Sequence, residues 1–304
     1  MVRLVILLAL LLCGCATRPA AFIWKEDARH LALLQPDGHS VWRFNADPAE
    51  ADKPCFHPLA LPGGAPLTGF RPADHHWHYG HWFSWKYLNG VNYWELPLKG
   101  LTSWRQVKMD RRSDFSARIE LELDYRPGAG AEPVLREQRR IDISPPAADG
   151  SYHLDWTLNF QVGAQDLTCD CSPVAKAYWG GYGGLSLRFT QAMSETQVQS
   201  FPEARRGKGF LHFPAAATDF SGLVAGQSVG VAMFDHPANR RRAPWYVIDE
   251  PQQPFLFLNA ALLQDRPLSL RAGESLQLRY RVSVHPGAWD HARLEKEAAA
   301  FTQE

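Results

Sequence analysis

Three stretches alternate apolar and polar residues so strictly that they leave the chain little choice but β-structure. In "ARIELELDY", Ile119, Leu121, Leu123 and Tyr125 alternate with Glu120, Glu122 and Asp124. "YHLDWTLNFQV" (152–162) and "LQLRYRVSV" (276–284) repeat the pattern with larger side chains. A period of two places one set of side chains on a core and the other in water. "RPGAGAEP" (126–133) and "RAGES" (271–275) carry the Gly and Pro that turns between such strands need. "SVGVAMF" is apolar without interruption and reads as a strand buried on both faces. Helix formers run on only in "WDHARLEKEAAAFTQE" at the C-terminus. The expectation is an all-β chain. A large two-sheet antiparallel sandwich spans 22–287 as one domain, and a short helix follows over 288–304.

The first fifteen residues, "MVRLVILLALLLCGC", stand apart from that fold. Arg3 precedes an apolar run too short to span a bilayer, the pattern of an export signal. Its end, Leu12-Cys13-Gly14-Cys15, resembles a bacterial lipobox. That resemblance implies lipidation at Cys15. Ala16 stands where an inner-membrane retention signal would carry aspartate, so the implied location is the outer membrane, facing the periplasm. The membrane is then a partner through the lipid anchor alone. The alternative is ordinary cleavage nearby and a free protein. Export implies an oxidising compartment, with room for one disulfide from Cys55 to Cys169 or Cys171. The 32 basic and 32 acidic residues balance, which argues against a nucleic-acid partner.

Residues 74–95, "DHHWHYGHWFSWKYLNGVNYWE", hold four histidines, four tryptophans and three tyrosines. His75, His76, His78 and His81 admit three readings: metal ligands, proton-transfer groups, or buried structural residues. On a strand His75 and His78 would point to opposite faces, so only a turn could bring them together. The structural reading suits His76 and His81. The aromatics cannot all enter one core, because each indole N–H and phenol O–H needs a partner. Some therefore line a cleft. Flat rings beside amides and charges suit a sugar, whose C–H face stacks while its hydroxyls are met by groups such as Lys86, Asn89, Asn92 and Glu95. Gly90 in "NGVN" marks a tight turn.

This segment resembles a bacterial family of unassigned function catalogued as "methane oxygenase PmoA-like". Asp74, His75, His78, Phe83, Asn89, Gly90, Val91 and Trp94 carry the first match. Asp235, His236, Pro237, Asn239, Pro244 and Trp245, within "GVAMFDHPANRRRAPWYV", carry the second. "GGYGGLSLRF", with Arg188, is a weaker third. The match runs over roughly residues 30–287. Many relatives have Thr-Lys-Glu where this chain has Gly180, Gly181 and Tyr182, and His and Arg at Trp77 and Tyr79. A methane oxygenase subunit is a helical membrane protein, so the label does not suit an exported β-chain. Relatives commonly occur beside sugar-metabolising proteins, which implies a substrate class.

The expectation is a carbohydrate-active enzyme, on a large β-sandwich of the mutarotase-like kind, performing proton transfer on a sugar or glycoside: mutarotation, epimerisation or lyase-type cleavage. His78 or His75 serves as acid/base, oriented by Asp74. His236 with Asp235 is the second proton-transfer group, although Asp235 could equally cap the "HPAN" turn. Trp82, Tyr93 and Trp245 are stacking platforms. Lys86, Asn89, Asn92, Glu95, Tyr182, Arg188 and Asn239 contact the ligand. No convincing pair of carboxylates presents itself for a hydrolase. The rivals are a noncatalytic glycan-binding lipoprotein, and a metal-dependent enzyme using His75, His78 and His236. No cofactor is identified, and a divalent metal is the less favoured alternative. Arg240, Arg241 and Arg242 lie on a solvated face or meet an acidic sugar.

Overall fold

The computed structural model describes residues 22–174, 180–203, 209–250 and 255–303. Among them the expected β-architecture is present as a multi-sheet antiparallel sandwich. The alternating stretches form the strands Ala117–Arg126, Tyr152–Val162 and Ser275–Pro286. They lie in one eight-stranded sheet with the strands Ser194–Phe201, Ala217–Val224, Gln227–Asp235, Leu135–Ile143 and Leu101–Arg111. Ile119, Leu121, Leu123, Leu154, Trp156 and Leu158 all point into the main core, as their period demands.

A nine-stranded sheet supplies the other side of that core. Its middle strands are His81–Ser84, Gly184–Arg188, Phe255–Ala260 and Pro244–Glu250. These four are buried almost end to end, because they are covered on both faces. Phe83, Leu185, Leu187, Val247 and Leu258 face the main core. Trp82, Tyr246, Ile248 and Phe257 face the opposite way, into a second apolar cluster. A small four-stranded sheet contains the hairpin Tyr87–Leu88 and Val91–Asn92. Its turn holds Asn89 and Gly90 at φ 48° and 76°, the paired left-handed conformation of a two-residue hairpin.

The expected helix runs His291–Thr302, and Asp290 caps it by accepting from the Arg293 N–H. Leu294 and Phe301 pack on Ala217, Ala232 and Phe234 of the eight-stranded sheet. That cover explains the continuously apolar strand Gln227–Asp235. No helix among the described residues is long and apolar enough to cross a membrane. Cys55, Cys169 and Cys171 are buried free thiols, so neither disulfide considered above is formed. Cys55 belongs to the second apolar cluster and the other two to the main core.

Candidate functional site

The second face of the nine-stranded sheet carries a cleft of about 270 Å³. That lies just below the roughly 300–1,000 Å³ usual for small-molecule sites, so the space suits a small ligand. Tyr246, Ile248, Phe255 and Phe257 rise from the strands. Trp77, Trp94, Tyr182 and the two imidazoles of His75 and His78 come from loops that fold over them, with Ser172, Pro173 and Gly180 at the edge.

The histidine-rich loop is built from turns. His75 N–H donates to the Pro72 carbonyl, His78 N–H to the His75 carbonyl, and Arg71 N–H to the His78 carbonyl. These turns defeat the strand geometry that would have separated His75 from His78. Their rings stack with centroids 4.7 Å apart and planes inclined by 29°. The loop re-enters the sheet at Gly80, at φ 76°, where a Cβ would stand 2.4 Å from the Phe56 carbonyl oxygen. Only glycine combines that conformation with that approach.

Asp74 turns out to serve His75 and not His78. Its Oδ2 accepts from Arg188 Nη2 at 2.8 Å and pairs with His75 Nδ1 at 3.0 Å. Burial works to raise the Asp74 carboxyl, but His75 and the Arg188 guanidinium outweigh it and hold it below its ordinary value. Burial lowers the His75 pKa, with Asp74 opposing. The result is an imidazole at the cleft wall, 24% exposed, with one ring nitrogen fixed by a carboxylate. Such a partner sets the tautomer and raises basicity. Arg188 faces away from the core as its alternation with Leu185 and Leu187 requires, and its guanidinium lies 3.8 Å from the Phe255 ring centroid.

His78 is different. It stacks on Phe257 at 5.3 Å and lies 5.0 Å from Trp82. Burial holds its pKa well below the ordinary value, so it is neutral near pH 7. Its Nδ1 is buried and has no partner among the described residues, and the same holds for the Tyr246 hydroxyl. Trp82 itself is completely buried and supports His78 from beneath. At the opposite end of the segment, Glu95 accepts from Lys86 Nζ and from the Tyr182 hydroxyl at 3.3 Å.

Several expected site residues lie elsewhere. Tyr93 and Trp245 are in the main core, and the Trp245 indole donates to the Ala215 carbonyl. Asn89 ties the hairpin to the next strand, donating to the Asp166 carbonyl and accepting from Thr168 N–H. Asn92 accepts from Trp94 N–H and donates to the Glu95 carbonyl, so it shapes the turn that presents those two residues. Asp235 and His236 leave the eight-stranded sheet, beside the C-terminal helix. Asp235 accepts from Asn239 Nδ2 and Ala243 N–H, not from His236. Asn239 also clamps the Arg279 backbone. His236 accepts from Ala238 N–H and pairs with Arg279. Both groups are spent on the loop, so the second proton-transfer pair is not assembled, and neither is the three-histidine metal set. Among the described residues, the group with metal-ligand spacing is His30, Asp47 and Glu50, where Arg29 and Arg43 already pair with the carboxylates.

Tyr246, Phe255 and Phe257 were missed. Their strands, "PWYVIDE" and "FLFLNA", are nearly continuous in apolar residues. That pattern announces cover on two faces without saying that one cover is a cleft.

The fold has distant likenesses. The chain aligns over 88% of its length with 42% of the galactosidase domain of an α-galactosidase–sucrose kinase, at 11% identity and TM-score 0.46. For a GH36 α-galactosidase from Geobacillus stearothermophilus the figures are 89%, 41%, 9% and 0.47. For a putative aldose 1-epimerase from Klebsiella pneumoniae they are 90%, 83%, 9% and 0.41. The chain thus spans less than half the length of the two galactosidase chains. No curated protein matches the sequence. The model of one family covers nearly the whole described chain, residues 32–299, and by that match the protein belongs to DUF6807, a family of unknown function.

Proposed function

We propose that this protein binds a sugar or glycoside in the aromatic cleft and transfers a proton to or from it through His75. The observation that carries the reading is the composition of the wall. Rings surround a monosaccharide-sized space, two buried polar atoms there lack a partner among the described residues, and one imidazole is oriented by a carboxylate. The apolar C–H face of a sugar stacks on the rings. Its hydroxyls meet His78 Nδ1 and the Tyr246 hydroxyl, each costly to leave buried and unsatisfied. His75, with Asp74 behind it, takes or gives the proton in a mutarotation, epimerisation or elimination.

Among the described lining residues there is one such couple and no carboxylate. That observation supports a second reading, glycan capture without turnover. Proton NMR of sugars and oxidised (keto) glycosides with the protein separates the two. On the catalytic reading, new signals or faster anomeric exchange appear, and His75→Ala slows them by about 10²–10⁴-fold while ligand line broadening persists. Turnover unchanged in His75→Ala removes the catalytic assignment, and broadening without turnover in the native protein leaves the binding reading.

The expected export signal and lipidation site at Cys15 lie outside the described residues. With them, the reading is of a lipid-anchored protein working outside the cytoplasm. Cys15→Ser is expected to move the protein from the membrane to the soluble fraction after cell lysis. Retention in the membrane fraction would contradict the anchor.

A further inference from the structure

We infer that the cleft selects a neutral glycone and discriminates against uronates and sulfated sugars. The inference rests on the carbohydrate reading above and deepens it. Among the described residues, none of the side chains lining the cleft is Asp, Glu, Lys or Arg. The cations just behind the wall each already face a carboxylate. Arg188 holds Asp74 at 2.8 Å, Lys53 holds Asp52 at 2.5 Å, and Lys86 holds Glu95. Their side chains are 0%, 2% and 0% exposed, respectively. Rings also stand over them: Phe255 over Arg188 and Tyr182 over Lys86.

A carboxylate or sulfate entering this space would lose its hydration and, among the described residues, find no uncommitted cation at the wall. Burying an unpaired charge costs far more than burying a hydroxyl that finds a hydrogen bond. A hydroxyl does find one, at His78 Nδ1 or Tyr246. The arginine run that could have met an acidic sugar lies away from the cleft, with the exposed Arg242 beside the C-terminal helix. Arg240 pairs with Glu274, and Arg241 donates to the backbone carbonyls of Arg266 and Pro267.

The test titrates the purified protein with matched methyl glycosides that differ only at C6: glucoside against glucuronide, and galactoside against galacturonide. Binding is read by ligand line broadening and calorimetry. At least one pair is expected to bind with the neutral member tenfold or more tighter. Equal affinities, or a tighter acid, overturn the neutral selection and leave the carbohydrate reading standing. Silence from all four sugars, together with silence from a wider panel of neutral glycosides, overturns both. Glu95→Gln then checks the cause, because it leaves Lys86 without its carboxylate. The neutral-to-acid ratio is expected to fall at least threefold in that variant. A ratio unmoved, in a variant that still binds the neutral sugar, would show that paired charges do not set the selectivity.

Discussion

Glu137→Gln is expected to destabilise the protein by about 3–5 kcal/mol, the usual result of removing one partner from a buried ion pair. Glu137 and Arg139 lie two residues apart on one strand, both facing the main core, both wholly buried. Their contacts are 2.5 and 3.0 Å, and the Tyr125 hydroxyl donates to the same carboxylate at 2.5 Å. Arginine cannot shed its charge, so losing the carboxylate charge leaves an uncompensated guanidinium between Phe83 and Trp156. Phe83 adjoins Trp82, which supports His78, so the damage reaches the floor of the cleft. Urea unfolding measures the loss. Glu137→Leu combined with Arg139→Met should recover most of it, since buried pairs replaced by apolar groups of similar size are often neutral in cost. A single variant within about 1 kcal/mol of the native protein would show that the core tolerates the bare cation.

Acid is expected to weaken the fold between about pH 6.5 and pH 4. Burial lowers the pKa of His57, with Arg43 adding to the effect, and lowers that of His81 against the hydrogen bond it makes to the Ser186 carbonyl; both stand at about 4. His78 is lowered as well. These imidazoles stay neutral in the folded state, while in the unfolded chain they protonate near 6.5. The unfolded state therefore binds more protons, and stability falls as pH drops through that window. A depression from 6.5 to about 4 corresponds to roughly 3 kcal/mol per group. Asp235, which burial raises to about 7, opposes the histidines in the same window because its folded form takes up a proton before the unfolded chain does, so the loss is the difference between the two effects. The paired aspartates act in a separate, lower window, because their pKa values are held below 3.8. Urea unfolding at pH 7, 6, 5 and 4 should give a progressive loss. A flat profile down to pH 4 would mean these histidines protonate freely in the native state.

Much of the architecture was legible before any coordinates. The stretches around Ile119, Trp156 and Tyr280 lie in strands with the expected faces, because a period-two pattern fixes orientation through the strand's own geometry. The C-terminal run forms a helix because helix formers follow a capping aspartate. The NGVN turn followed from glycine's tolerance of positive φ. The segment at 74–95 was also recognisable as a place where rings exceed what one core can satisfy.

What that segment does was divided by the tertiary structure. His75, His78 and Trp94 reach the cleft, while Tyr93 turns into the main core and Asn89 and Asn92 hold backbone. The "DHPAN" motif looked equally chemical, yet its Asp and His are consumed by a loop on the other sheet. Residue type and spacing could not separate these cases, because a side chain's role depends on which unpaired groups surround it. Asp74 could have oriented either histidine, and two consecutive turns and Arg188, distant in sequence, assigned it to His75. Local periodicity sets the strands and their buried faces, and composition sets the excess of rings. Only the packing of remote strands decided which rings border a cleft, because Tyr246, Phe255 and Phe257 arrive there from more than 150 residues away.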